Sequence, residues 1–423
     1  MDLTSKPEPT APSNDEIEYI LSPEAIRDRA LDIYNLTQKG DGLFEIKDEK
    51  LEEVADYVLQ VIRDRHPDLK ISYHSRWSHF NVGGRNRVNE VREEAQRTPG
   101  MNDLEWARMQ FDLVVTSVLL DAGTGPSWRF KDIDGHIFAR SEGLAVASLN
   151  MFTAGAFSSD KTRPLQADSR ALTHITEEKI KESFQVSVSN PLSGTKGRAE
   201  LLHKLGKVVE NTPDYFLKAD TTFPFKRIGN LVDYFVKHRP NKKIEAVFIL
   251  KTVLKALGGI WPGRIVMNDV NLGDTWYHDK LGTGVKSFVP LHKLSQWLTY
   301  SLLEPLEEFG FEILDLNQLT GLAEYRNGGL FLDLGLFAPK DPNAFSKPVH
   351  ADSRLVIEWR SLTVYFLDEV AKIVRQKLGK SEQEFPLAKV LEGGTWWAGR
   401  KIAQAKRPGG GPPLDLISDG TVF

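Results

Sequence analysis

Apolar residues recur along this chain at the three-to-four spacing of helices, and the strict alternation expected of strands is scarce and short. The densest run spans residues 291–337. Leu291, Leu294, Leu298 and Leu302 mark a buried helical face. His292, Gln296 and Tyr300 fall on another face, with Lys293 beside them. Pro305 predicts an end or a kink, because it removes a backbone donor and clashes with the preceding turn. A second helical pattern then carries Glu324, Tyr325 and Arg326 into the flexible Asn327-Gly328-Gly329.

The same spacing predicts the other elements. Ser22-Pro23-Glu24 is a strong helix start, a hydroxyl cap followed by proline and an acid, with Ile26, Ala30 and Ile33 facing inward. Residues 49–65 bury Leu51, Val54, Val58 and Ile62, and His66-Pro67 ends them. Residues 103–120 form an apolar helix through Phe111, Val114 and Val118. Further helices fall at 176–184, 198–210, 228–235, 246–257, 356–378 and 381–391, while 132–170 read as less regular. The expected fold class is mainly α, with at most a small β-sheet. One large helical domain over 21–405 is expected, with a cleft between its N- and C-terminal parts. Residues 1–20 read as a flexible tail, and 406–423 as a Gly/Pro-rich tail whose Val422-Phe423 end is apolar enough to dock.

Composition narrows the chemistry. The 423 residues are 41% hydrophobic and 26% charged, an ordinary globular balance. With no cysteine, disulfides, zinc–thiolate sites, iron–sulfur clusters and thiol nucleophiles are excluded. A net charge of −4 argues against a general grip on duplex nucleic acid, though a local basic pocket stays open. No apolar run reaches membrane-spanning length and the N-terminus has no signal-peptide core, so a cytoplasmic location away from membranes is expected.

Several residues are candidates for chemistry. Lys293 and Glu324 lie 31 positions apart (293 to 324) on two neighbouring helices. A buried ionisable pair is costly unless the groups serve each other or a ligand, so the pair is either structural or functional. In HSRWSHFNVGGRNR, Arg76 and His79 either hold a phosphate or base edge or belong to a solvated loop. The His74–His79 spacing is not a recognised metal pattern, and no metal or other cofactor is expected. Asp121 leaves a buried helix into Ala-Gly-Thr-Gly-Pro-Ser-Trp-Arg-Phe, where it faces a cleft or caps the turn. No lysine follows in the nucleotide-binding pattern, so this is no P-loop. Trp128 and Arg129 offer a flat surface and a forked donor for a planar ligand. Trp276 sits in a loop expected to lie over the site. The Trp396-Trp397 pair reads first as core packing, with Trp397 also a candidate slot wall.

The runs HSRWSHFNVGG, DAGTGPSWRF, IWPGRI, HKLSQWL, LTGLAEYRNGGLF and EGGTWWAGR resemble, across the whole length, a uracil-catabolism family of fungi and bacteria. The second half more distantly resembles the queuosine-nucleotide N-glycosidases of queuosine salvage. The shared order is lysine, glutamine, an apolar helix, an Asp-rich turn, Leu-Thr, an acid-Tyr-Arg triplet and Gly-Leu. RAELLHKLGKVV and IGNLVDYF are similar too. That resemblance implies a helical fold akin to DNA glycosylases. It places Glu324 at the catalytic aspartate of that family and Lys293 at its pocket lysine. Glutamate is one methylene longer and reaches about an ångström further. Asn-Gly-Gly also replaces a Pro-Gln-containing run, so base recognition need not be shared.

Together the resemblances imply a hydrolase that cleaves the ribose C–N bond of ribosylurea or its phosphate. Glu324, Lys293 and Asp121 are the expected catalytic residues. Trp128, Arg129, Arg76, His79, Trp276, His292, Gln296, Arg326 and Trp397 are the expected substrate contacts. Lys293 would hold a phosphate or steer Glu324. The expected partner is a small nucleoside or nucleotide. The alternatives are a nucleotide-binding protein without turnover and a metal-dependent amide hydrolase using His278 and His292.

Overall fold

The computed structural model describes residues 13–98, 100–125, 127–216, 226–262 and 264–417. It is mainly α-helical. Ser22 caps the helix Pro23–Gln38 by accepting the Ala25 N–H, with proline in its first turn. Leu51–Arg65 and Asp103–Leu119 follow, the second capped by Asn102 and buried nearly all round. The longest element, Arg354–Leu378, starts at a Ser353 cap and stops at Gly379 in the left-handed region. It packs against both Pro23–Gln38 and Leu51–Arg65. Lys293–Glu308 packs on Asp103–Leu119, and Tyr325–Leu334 on Trp396–Lys406. Early and late parts of the chain therefore share one core.

Strands are two- or three-residue pairs that stitch distant segments. Phe44–Ile46 runs antiparallel to Phe337–Pro339, and Lys243–Glu245 runs parallel to Glu312–Leu314. Thr275–Tyr277 pairs antiparallel with Phe288–Pro290 and delivers the chain to Lys293. Val349–His350 pairs parallel with Leu416–Ile417.

Several expectations are corrected. The N-terminal tail is shorter than 1–20: Asn14–Ile20 is helical, held by a capping box of Ser13 and Glu16 and by burial of Ile17 and Ile20. The later tail is docked as far as Ile417, because Leu414 is buried and residues 416–417 join a strand pair. Val422-Phe423, like residues 1–12, lies outside the described residues. Pro305 does not end its helix, which continues to Glu308. The Ser301 carbonyl that proline leaves without a donor accepts the Trp77 indole N–H at 2.8 Å. Arg140–Thr153 is a helix inside the stretch read as irregular. HSRWSHF is no solvated loop: Arg76, Trp77, His79 and Phe80 are buried around the short helix Trp77–Phe80. In place of a helix over 381–391, Leu387–Val390 passes through a wide turn, Leu391–Thr395, into Trp396–Lys406.

Two helices cross closely at Gly399. A Cβ there would sit 2.0 Å from the Arg326 carbonyl oxygen. Alanine favours a helix by about 1 kcal/mol over glycine, yet this clash opposes it by about 1–3 kcal/mol or more. Gly399→Ala should therefore lower the urea midpoint. A raised midpoint would mean the crossing is looser than described.

Candidate functional site

Lys293 is the first residue of its helix, and its position is set from below. Its backbone N–H donates to Asp274 Oδ2 at 3.0 Å. Arg360, fully buried in the Arg354 helix, grips both oxygens of Asp274 at 2.8 and 2.7 Å. Its Nε also donates to the Ala323 carbonyl, one residue before Glu324, at 3.3 Å. One guanidinium thus ties together the loops that present Lys293 and Glu324. Burial pushes the Asp274 carboxyl up, but the Arg360 charge and its hydrogen bonds, with the Lys293 N–H and the Trp276 indole, hold it below its ordinary value. Burial lowers the Lys293 ammonium from its ordinary value. Glu324, Asp121 and Asp274 oppose that shift electrostatically, and Arg360 adds to it.

Glu324 lies just before the helix Tyr325–Leu334 and caps it. Its Oε1 accepts the Asn327 N–H at 2.7 Å and its Oε2 the Arg326 N–H at 2.8 Å. The side chain stays partly exposed, and each oxygen keeps a lone pair. The capping role follows from the local sequence, because an acid ahead of Tyr-Arg-Asn satisfies helix donors that have no partner inside the helix.

Arg76, His79 and Asp121 meet around Ser141. Arg76 donates from Nε to Ser117 Oγ at 2.8 Å and lies 3.1 Å from Asp121 Oδ2. The Ser141 hydroxyl donates to Asp121 Oδ2 at 2.7 Å and lies 3.2 Å from His79 Nδ1. Burial, then the charge of Arg76, pushes His79 down to about 4, so it is neutral at pH 7. Trp297 links this group to Lys293. Its ring lies 5.5 Å from the Arg76 guanidinium, 5.9 Å from the Lys293 ammonium and 6.0 Å from the His79 ring. The Trp396 ring stands 5.8 Å from that of His79.

Polar atoms in this region are left unpartnered. Both amide atoms of Gln296, the Trp297 indole nitrogen, Asn327 Oδ1 and Arg76 Nη2 are buried without a hydrogen-bond partner. Such an atom costs about 1–3 kcal/mol, and folded proteins keep few of them. They belong to the turn after Lys293, to the Asn327 whose N–H bonds Glu324 and to Arg76 itself, and a polar ligand would satisfy such atoms.

The remaining expected contacts are engaged within the protein or sit apart from this group. Trp128 is sealed in the core, with its indole N–H donated to the Phe184 carbonyl, so it offers no surface to a ligand. Arg129 is exposed and donates to the Trp128 carbonyl. Trp276 is buried and serves Asp274 at 2.7 Å. His292 is buried, with Nε2 2.9 Å from the Ile20 carbonyl oxygen, and forms the left-handed cap before Lys293. Arg326 reaches the Gly410 carbonyl at 2.9 Å. Trp397 is only partly buried. It stacks on Arg65 at 3.4 Å in a separate cleft of about 370 Å³ shared with Val61, Arg400 and Gln404. His278 meets Glu358 rather than His292, and among the described residues no three His, Asp or Glu converge to hold a metal. Sequence reasoning missed Ser141, Trp297, Trp396 and the Asp274–Arg360 fork. Only Trp297 had a usable signal, standing four residues after Lys293 on the same helix face.

Residues 19–423 match the model of a family described as a protein of unknown function, DUF1688. The chain is 36% identical over 444 residues to uracil catabolism protein 4 of Lachancea kluyveri, covering 96% of this chain and 99% of that protein. It is 37% identical over 426 residues to protein urg3 of Schizosaccharomyces pombe, covering 97% and 100% respectively.

Behind Trp297 and Trp396, glutamates crowd the HSRWSHF run. His74 Nδ1 lies 2.7 Å from Glu392, and Ser75 donates to Glu304 at 3.2 Å. Burial, with Glu392 and Glu307 adding to it, pushes Glu304 up to about 7 from 4.5. Between those values the folded protein holds more protons than the unfolded chain, so this group lowers stability as pH rises. The loss is on the order of 3 kcal/mol and complete above pH 7. Glu304→Gln should raise the urea midpoint at pH 8 more than at pH 5. An equal change at both would contradict the assignment.

Proposed function

The chain belongs to the DUF1688 family, and on that premise we propose that it is an N-glycosyl hydrolase of uracil breakdown. Its substrate is a ring-opened ribosyl derivative, ribosylurea or its phosphate, split into urea and the sugar. Two relatives of nearly equal length, one of them named for uracil catabolism, support the pathway. The observation that carries the chemistry is a half-buried Lys293 whose helix start is tied through Asp274 and Arg360 to the residue before Glu324, with the Glu324 and Asp121 carboxylates acting on its ammonium.

Breaking the bond between anomeric carbon and nitrogen leaves positive charge on the sugar ring, as in other glycoside hydrolyses. The Glu324 carboxylate steadies that charge and accepts a proton from the attacking water, whose oxygen bonds to the anomeric carbon. The electron pair of the broken bond goes to the urea nitrogen, which takes a proton from Lys293. Transfer of the proton on Glu324 to the neutral lysine restores both groups. The lowered affinity of Lys293 for its proton suits it to give that proton up. The unpartnered Gln296 amide is a donor and acceptor suited to a urea group.

A second reading, a sugar- or nucleotide-binding protein without turnover, is favoured by one fact: both Glu324 oxygens already serve the helix cap. Incubation with ribosylurea, its phosphate, uridine and UMP, followed by assay of urea and free sugar, separates the two. Release of urea and sugar in equal amounts is expected. Ligand binding with no release favours the second reading.

Glu324→Gln should lower kcat by roughly 10²–10³-fold while keeping substrate affinity. Normal turnover in that variant would remove Glu324 from the chemistry. Because Lys293 must be protonated, activity should fall as pH rises through a value below that of a free lysine. This alkaline limb should be absent from the residual activity of Lys293→Met, and a limb that persists there belongs to another group.

A further inference from the structure

The chain is acidic overall, yet arginines gather on one edge of the site. Arg140 and Arg326 both donate to the loop at 408–411. Arg140 reaches the Gly409 carbonyl at 2.6 Å and the Gly410 carbonyl at 3.4 Å, and Arg326 reaches Gly410 at 2.9 Å. Two cations therefore share a neutral oxygen. Arg400, which also lines the Trp397 cleft, is close enough to act on both electrostatically and is paired with Glu142 at 2.8 Å. Burial, then the neighbouring Arg140, pushes Arg326 down to about 10. Arg140 is lowered by burial and then by Arg400 and Arg129. Like charges held this close repel one another, and an anion would relieve them.

Their placement is informative. The Arg326 backbone N–H donates to Glu324, and Arg140 directly precedes Ser141, which donates to Asp121. The backbones of the two arginines thus adjoin the residues that bond the two carboxylates. Arg140 adopts a φ of +54°, which is strained for a residue with a Cβ. The two residues after it reach Asp121 and Arg400. The strained start of this helix therefore joins the carboxylate side of the site to its cationic side.

We propose that Arg140, Arg326 and Arg400 hold a phosphate carried on the sugar, so that the substrate class is a phosphorylated ribosyl compound rather than a bare nucleoside. This rests on the reading that the site takes a ribosyl group. A phosphate oxygen accepts charge-assisted, forked hydrogen bonds from guanidinium groups, which are stronger than those to the Gly410 carbonyl. Lys293 is then free for the nitrogen leaving group rather than the phosphate.

Calorimetric titration with ribose 5-phosphate, ribose and inorganic phosphate reads binding without turnover. Ribose 5-phosphate should bind at least tenfold more tightly than ribose and weaken with salt. Arg326→Met and Arg140→Met should each weaken ribose 5-phosphate about tenfold. Arg239→Met, at a distant pair with Glu245, should change nothing. Failure of ribose 5-phosphate to bind, binding no tighter than that of ribose, or unchanged affinity in both variants overturns the proposal. If ribose 5-phosphate binds as expected and no ribosylurea phosphate is split, the hydrolase reading fails and the phosphate site stands. If urea leaves ribosylurea and its phosphate with equal kcat/KM, the hydrolase reading stands and the phosphate site fails.

Discussion

A single buried guanidinium sets the geometry on which the site depends. Arg360 grips Asp274 with two hydrogen bonds and touches the Ala323 carbonyl with a third. Asp274 in turn fixes the first backbone N–H of the Lys293 helix. The two residues that carry the proposed chemistry come from different helices, and neither helix packing nor sequence spacing alone would bring them into register. A buried pair of this kind adds little net stability over an apolar replacement, but removing one partner strands a charge at a cost of about 3–5 kcal/mol. Its value here is positional. The Arg354 helix, anchored on the Pro23 and Leu51 helices, becomes the reference against which Lys293 and Glu324 are aligned.

That alignment is held at some expense. Burial draws the Lys293 ammonium below its ordinary value, and the carboxylates of Glu324, Asp121 and Asp274 oppose that shift. The Gln296 amide and the Trp297 indole have no partner in the protein. A sequence selected only for stability would replace these groups with apolar ones. Their retention beside a capping glutamate fits a site that recognises a polar ligand, and it explains why the surrounding aromatic residues are packed yet leave donors unused.

The fold was largely legible because helical spacing reports burial directly. The Pro23, Leu51, Asp103 and Arg354 helices fall close to where their apolar stripes and caps place them. Arg140–Thr153 was hidden because it starts without a capping side chain and its small Gly, Ala and Ser residues blur the apolar pattern. Pro305 misled because a tertiary donor, Trp77, compensates for its missing hydrogen bond. Only some of the candidate residues are placed near one another by the fold. Arg76, His79 and Asp121 meet at Ser141, and the Asp121 and Glu324 carboxylates act on Lys293. Trp128 looked like a ligand surface only because its glycine-rich flanks suggest a loop, whereas it packs against Gly143 in the core. Long-range partners such as Ser141 and Arg360 leave no local trace, since their roles depend on which helices meet.

The central claim is that a cation forms at the anomeric carbon beside Glu324. A kinetic isotope effect with deuterium on that carbon tests it most directly, because the C–H bond loosens as the sugar becomes oxocarbenium-like. Competitive turnover of labelled and unlabelled ribosylurea phosphate should give an effect clearly above unity on kcat/KM. A value of unity, with attack falling instead on the urea carbonyl, would contradict the account.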